Sequence, residues 1–319
     1  MIGRGARLGL PVACAALLAA VALAAGSEDA RSEGPFFRKA LKEWRDRRVA
    51  SLKSEDGWLT LVGLHWLEPG ENPFGSDPSN RIVLPEGKAP ARAGSFVLEG
   101  SKVRVRLLPA SPITIDGRRA AEGEVRTDES GDPDVFRLGT VSFHVIRRGD
   151  RFAVRVKDSR SPVRTGFSGL DFFPPDASYR VQARFTPYDP PKAVDVPNVL
   201  GGVEVQTCPG IVRFELEGKE WTLEPLSESG GRGELFFIFK DATSGRETYA
   251  AGRFLYADPP SLGRVVLDFN RAFNPPCAFT PYATCPLPPK QNWLPIRIEA
   301  GEKAYTSSAG HGEPARGGK

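Results

Sequence analysis

The strongest constraint on fold is punctuation. The chain of 319 residues carries 34 glycines and 29 prolines, and between them the apolar residues come in short runs. Turn-setting residues at this density leave room for many short strands and few long helices. The pattern predicts strands near 81–84, 95–98, 102–108, 113–115, 141–146 and 152–156, then near 179–188, 203–206, 211–216, 221–226, 235–239, 252–256 and 265–269. Residues 58–67 read as a strand or a buried connection. Arg147-Arg148-Gly149-Asp150 and Glu217-Gly218-Lys219-Glu220 read as hairpin links, and Pro209-Gly210 as another turn. A single helix is expected over 35–54. There Phe37, Leu41, Trp44 and Leu52 share a face, Pro35 opens the first turn and Asp56-Gly57 stops it.

The expected architecture is therefore mostly β, in two units with one amphipathic helix near the start. A sandwich spans 55–158, and a connector at 159–175 packs Phe167, Phe172 and Phe173. A second β barrel or sandwich spans 176–306, and a small polar tail expected to be disordered covers 307–319.

Residues 1–30 have the composition of a signal peptide. Arg4 and Arg7 precede an apolar stretch from Leu8 to Leu23, with small residues at Ala22-Leu23-Ala24 for cleavage. An exported protein, periplasmic or secreted, with no membrane span after cleavage is the expectation. Of the 4 cysteines, Cys14 leaves with that segment. Cys277 and Cys285 are expected to pair in an oxidising compartment, leaving Cys208 free. Closing that short loop contributes roughly 2–3 kcal/mol on chain-entropy grounds. The competing outcome keeps both as thiols beside a site. No zinc spacing and no cofactor motif occurs, so neither metal nor cofactor is expected.

A net charge of +4 from 43 basic and 39 acidic residues is a weak bias, and without basic–aromatic interleaving no nucleic-acid partner is expected. No nucleophile elbow, zinc helix or phosphate loop is present. Ser244 reads as part of a turn with Asp241 and Thr243, and His65 and His144 as strand residues rather than bases.

The chemistry-rich stretch is 268–302, with seven prolines, two cysteines and several Asn, Gln and carboxylate side chains. Loops of this length usually have a function. A hairpin through Asp258–Gly263 would carry Arg253 to its foot, against Asp268 and Asn270. There a guanidinium pairs with Asp268 or with a ligand carboxylate or phosphate. The candidate ligand-binding set is Arg253, Asp268, Asn270 and Asn274, with Cys277 and Glu299 nearby. Gln291 and Asn292 add donors and acceptors. The alternative gives these side chains to the backbone of a proline-rich loop that lacks ladder partners.

The blocks DFNRAFNPPCAFTPYATCPLPP, TYAAGRFLYA and DGWLTLVGLHWLEPGENPFGSDPSN resemble the bacterial family known as domain of unknown function 1684, over roughly residues 36–306. That family has an apolar residue where this chain has His65, so the resemblance implies no catalytic role for His65. FGSDPSNRIVLPEGKAPARAGSFVL, TIDGRRA and LGTVSFHVI also look like the strand order of a forkhead-associated β-sandwich. Its phosphothreonine-reading Arg and Ser-Arg-x-x-His run are replaced by Ser76 and by Ala91-Arg92-Ala93-Gly94. The resemblance thus implies the fold and not phosphopeptide binding.

Two functional classes remain. One is a non-enzymatic module whose proline-rich segment covers a pocket for a small molecule. The other is a hydrolase using Asp268 and Glu299 as acid and base.

Overall fold

The structure is a computed structural model describing residues 34–119, 121–227 and 233–306. The expected signal segment and the polar tail lie outside the described residues. Alternation of apolar and polar residues dictates the first unit. Ten strands form it: β1 (Leu61–Trp66), β2 (Gly70–Gly75), β3 (Ile82–Val83), β4 (Gly94–Glu99), β5 (Lys102–Leu107), β6 (Thr114–Ile115), β7 (Glu122–Glu124), β8 (Phe136–Leu138), β9 (Val141–Arg148) and β10 (Arg151–Asp158). They make two five-stranded sheets, ordered β1-β10-β9-β8-β6 and β3-β2-β4-β5-β7. Along β9 and β10, Val141, Phe143, Val145, Phe152, Val154 and Val156 enter the core, while His144 and Arg155 sit opposite each other on the outer face. Rings from the two sheets interlock: Phe96 meets Phe136 at 5.1 Å and Phe74 meets Phe143 at 5.5 Å between centroids. Each buried ring contributes about 1.5–3 kcal/mol of transfer free energy. This is the expected sandwich.

The helix expected over 35–54 is α1 (Pro35–Leu52), the one long helix among the described residues. It buries Leu41 and Leu52, and Arg45 and Arg48 on the same stripe reach into the second half of the chain. Leu52, Leu59, Phe167 and Phe279 form a small core joining the helix, the connector and the proline-rich segment. The connector adds one helical turn, α2 (Pro162–Thr165), capped by Ser161.

The second half holds β11 (Arg180–Pro197), β12 (Val203–Leu216), β13 (Lys219–Leu223), β14 (Leu235–Phe239), β15 (Arg253–Ala257) and β16 (Arg264–Asp268). These form a sheet ordered β13-β12-β11-β16 and a separate pair, β14-β15. Phe214, Leu223, Phe237, Phe239, Leu255 and Phe269 fill the space between them. The sheets stay open, so of the two architectures anticipated the barrel is excluded.

Two local expectations are corrected. Pro209-Gly210 does not turn the chain, because β12 runs straight through it. Gly210 sits opposite Pro187, where a Cβ would strike the Thr186 carbonyl and the Phe185 ring. The glycine serves close strand approach, and the irregularity falls on β11, whose register shifts between Pro187 and Lys192. The link from β15 to β16 is likewise not a hairpin, since β15 pairs with β14 and β16 with β11. The expected turn at Glu217-Gly218 is present, both residues taking positive φ (54° and 71°) between paired strands.

Candidate functional site

The proline-rich segment follows β16 as irregular chain with three 3₁₀ turns, at Phe269–Arg271, Pro276–Ala278 and Lys290–Asn292. Prolines supply no N–H, so side chains satisfy much of the buried backbone here. Asn270 clamps Asp176 by accepting from its N–H at 3.0 Å and donating to its carbonyl at 2.7 Å. Asn274 donates to the Lys303 carbonyl at 2.7 Å, and Asn292 to the carbonyls of Glu224 and Ile238 at 2.9 and 3.0 Å.

Several candidate ligand residues are thereby assigned to architecture. Arg253, 1% exposed, does not reach Asp268. Because β15 pairs with β14, its guanidinium points to Asp241 at 3.1 Å and to the carbonyls of Ile298 and Ala300. Asp268 instead accepts from the Asn270 backbone at 3.2 Å and lies 3.4 Å from Arg271. Glu299 pairs with Arg297 at 2.7 Å on the surface. Cys277 is bonded to Cys285, and Cys208 is free and buried. Burial pushes the Cys208 thiol up to about 11, so it is a poor nucleophile. Asp241, Thr243 and Ser244 close a turn through hydrogen bonds of 2.7–3.2 Å.

The segment does border a groove, at its other end. A cavity of about 470 Å³ is walled by Val196, Leu226, Phe236, Tyr256 and Pro286 on its apolar side. Asn198, Glu204, Gln206, Glu234 and Thr284 give polar edges. Phe236 and Tyr256 stack at 4.8 Å, and Phe273 continues the stack behind Tyr256 at 5.9 Å. Half-exposed Tyr256 offers an aromatic shelf to whatever enters. The sequence puts Tyr256 on the strand just before Asp268 but gives no sign that Phe236, Asn198 or Glu204 joins it. An outward aromatic on an otherwise buried strand was the available signal.

Thr284 also ties the segment to the sandwich. Its hydroxyl accepts from Arg148 at 3.2 Å and from Arg155 at 3.4 Å. His144 lies beside Arg155, and burial together with Arg155 and Lys157 pushes its imidazole down to about 4. Below about pH 6.5 the unfolded chain therefore takes up a proton that the folded one refuses until about pH 4. Stability should fall across that window by up to roughly 3 kcal/mol. His144→Gln should flatten this part of a stability–pH profile measured by urea unfolding, and an unchanged slope would show that His144 is not responsible.

Among the described residues, no group of three His, Cys, Asp or Glu side chains is placed to hold a metal ion, and no helix is long and apolar enough to cross a membrane.

Residues 165–303 match the family described as Protein of unknown function (DUF1684). The uncharacterized protein from gene locus rrnAC0354 of Haloarcula marismortui is 34% identical, over 44% of this chain and 78% of that one, with a TM-score of 0.37. The chain belongs to the DUF1684 family. An FHA domain of a Chlamydia trachomatis protein is 18% identical over 31% of this chain and 95% of its own, with a TM-score of 0.21. An FHA domain solved in a study of phosphothreonine-dependent interactions is 20% identical over 31% and 96%, also with a TM-score of 0.21. At that similarity nothing further is carried over. Comparison with curated proteins returned no match.

Proposed function

We propose that this protein is a non-enzymatic binding module for a small amphipathic molecule, held in the groove between Phe236–Tyr256 and the proline-rich segment. The observation that carries this reading is the groove: about 470 Å³, aromatic along one wall and hydrogen-bonding along another. Ligand sites of this size typically combine mostly apolar walls with a few convergent polar groups. The acid–base alternative gains no support from its own residues, since Asp268 and Glu299 are each engaged by a local arginine. The apolar N-terminal segment and the Cys277–Cys285 bridge support an exported setting. Recovery of the uncleaved chain in the cytoplasmic fraction would overturn that placement.

A thermal-shift panel of amphipathic metabolites tests the binding. A ligand at a hundred times its Kd stabilises by about 2.7 kcal/mol, or roughly 4–5 °C for a protein of this size. Tyr256→Ser should leave the empty protein's Tm within a few degrees and remove the shift. A variant that keeps the full shift would disprove the groove as the site.

A further inference from the structure

One wall of the groove leads to a cluster of arginines that packing alone does not explain. Thr284 lines both the groove and a small adjoining pocket of about 80 Å³, whose other walls include Trp66, Arg148, Arg151 and Glu204. Behind Thr284 lies Arg155, which is 6% exposed and has an Nε with no hydrogen-bond partner. Among the described residues, no carboxylate lies within ion-pair distance of Arg155; its contacts are the Thr284 hydroxyl at 3.4 Å and the Trp58 ring at 5.3 Å. Arg148 is matched by Asp128 at 2.7 Å. Arg151 lies over Trp66 at 3.9 Å, also without an ion pair among the described residues. Three guanidinium groups thus surround Thr284 and its pocket, and Asp128 is the one carboxylate paired with any of them through Arg148. Glu204 lines the same pocket, without an ion pair among the described residues.

A buried cation with a hydroxyl for its main partner is costly. A residue selected for packing there would be aliphatic, whereas the planar fork of arginine suits an incoming oxyanion. We propose that the small pocket is the anion-binding end of the ligand site, taking a carboxylate or phosphate group whose apolar body lies along Phe236 and Tyr256. Arg148 and Arg151 face the anion, and Arg155 supplies charge from behind Thr284. This rests on the groove reading and narrows it to acidic amphiphiles. Burial and the neighbouring Arg148 push the Arg155 guanidinium down to about 10, in keeping with a cation held without its counter-ion.

The test uses the full mature chain with three probes: decanoate, decyl phosphate and decanol. Calorimetry should find at least one of the two anions bound about tenfold or more tighter than decanol, the worth of one charge-assisted contact. The stronger of the two identifies the acid as carboxylate or phosphate. Arg155→Met should keep decanol binding, lose the preference for anions, and leave the empty protein as stable as before or more so. Should Arg155→Met fail to fold, Arg151→Met, on an exposed side chain, should lower the anion preference in the same way. Equal binding of decanol and both anions would overturn the anion-binding pocket and leave the groove reading standing. Absence of binding by all three probes and by the wider panel would overturn both. A large drop in Tm for Arg155→Met, with anion preference intact, would make Arg155 purely structural and end the proposal.

Discussion

Replacing Asp241 by alanine is expected to cost about 3–5 kcal/mol, the loss typical of stranding one member of a buried ion pair. Asp241 accepts from the Arg253 guanidinium, the Thr243 hydroxyl, the Ser244 hydroxyl and the Ile298 N–H, at 3.1, 2.7, 3.2 and 2.8 Å. Without it, Arg253 keeps the hydrogen bonds to the Ala300 and Ile298 carbonyls but no carboxylate in ion-pair contact, Glu302 acting only at longer range. Arg253→Met should cost less, because Asp241 retains three donors. The double variant should recover part of the Asp241→Ala loss, since no uncompensated charge remains. Urea unfolding of the two single variants and the double variant decides the matter. A double variant no more stable than Asp241→Ala would show that packing, not the stranded charge, sets the cost.

Glu302→Ala should be comparably damaging. Glu302 is 0% exposed, and its two oxygens hold separate parts of the molecule. One accepts from Arg48 of α1 at 2.8 Å and the other from the Asn274 backbone at 2.8 Å. Arg48 also donates to the Asn274 carbonyl at 2.9 Å and lies over the Phe273 ring at 4.6 Å. The preceding Gly301 has φ near +81°, and a Cβ there would strike the Ala272 carbonyl, so the carboxylate is delivered by a backbone only glycine allows. Removing the carboxylate strands a buried N–H and a guanidinium together. About 3–5 kcal/mol is again the expected loss, or a Tm lower by on the order of 10 °C. Proteolysis should show α1 released before the sheets open. Simultaneous cleavage of helix and sheets would argue that Glu302 supports the whole fold instead.

What the sequence made legible follows from the range of the interactions involved. The strands, the helix, the Glu217-Gly218 turn and the pairing of Cys277 with Cys285 all depend on neighbours close in the chain. Alternation, capping and turn chemistry carry that information locally. The misplaced partner of Arg253 is of another kind. Assuming a hairpin after β15 put Asp268 opposite it, but β15 and β16 enter different sheets, and the true partner, Asp241, comes from a turn that read as purely local. The same holds for Asn270, Asn274 and Asn292. Their types announced hydrogen bonding, yet only the fold showed that backbone carbonyls and N–H groups take the bonds. The groove was half visible: Tyr256 stands on a legible strand, but Asn198 and Glu204 reach it from a long β11–β12 pair that runs unbroken through Pro209-Gly210, a dipeptide that reads as a turn.

The Arg48–Glu302 contact, 254 residues apart in sequence, has a bearing on how the molecule is made. The helix emerges from the ribosome before the strands described above, yet the carboxylate it docks on is made 254 residues after Arg48. During synthesis α1 must therefore stay undocked, an amphipathic segment with its apolar stripe uncovered. Closure of so long a loop costs entropy before its contacts return anything, which puts the final docking among slow, topology-limited steps. Until Glu302 has been made the helix has no carboxylate to dock on, and it stays open to proteases for as long as that takes.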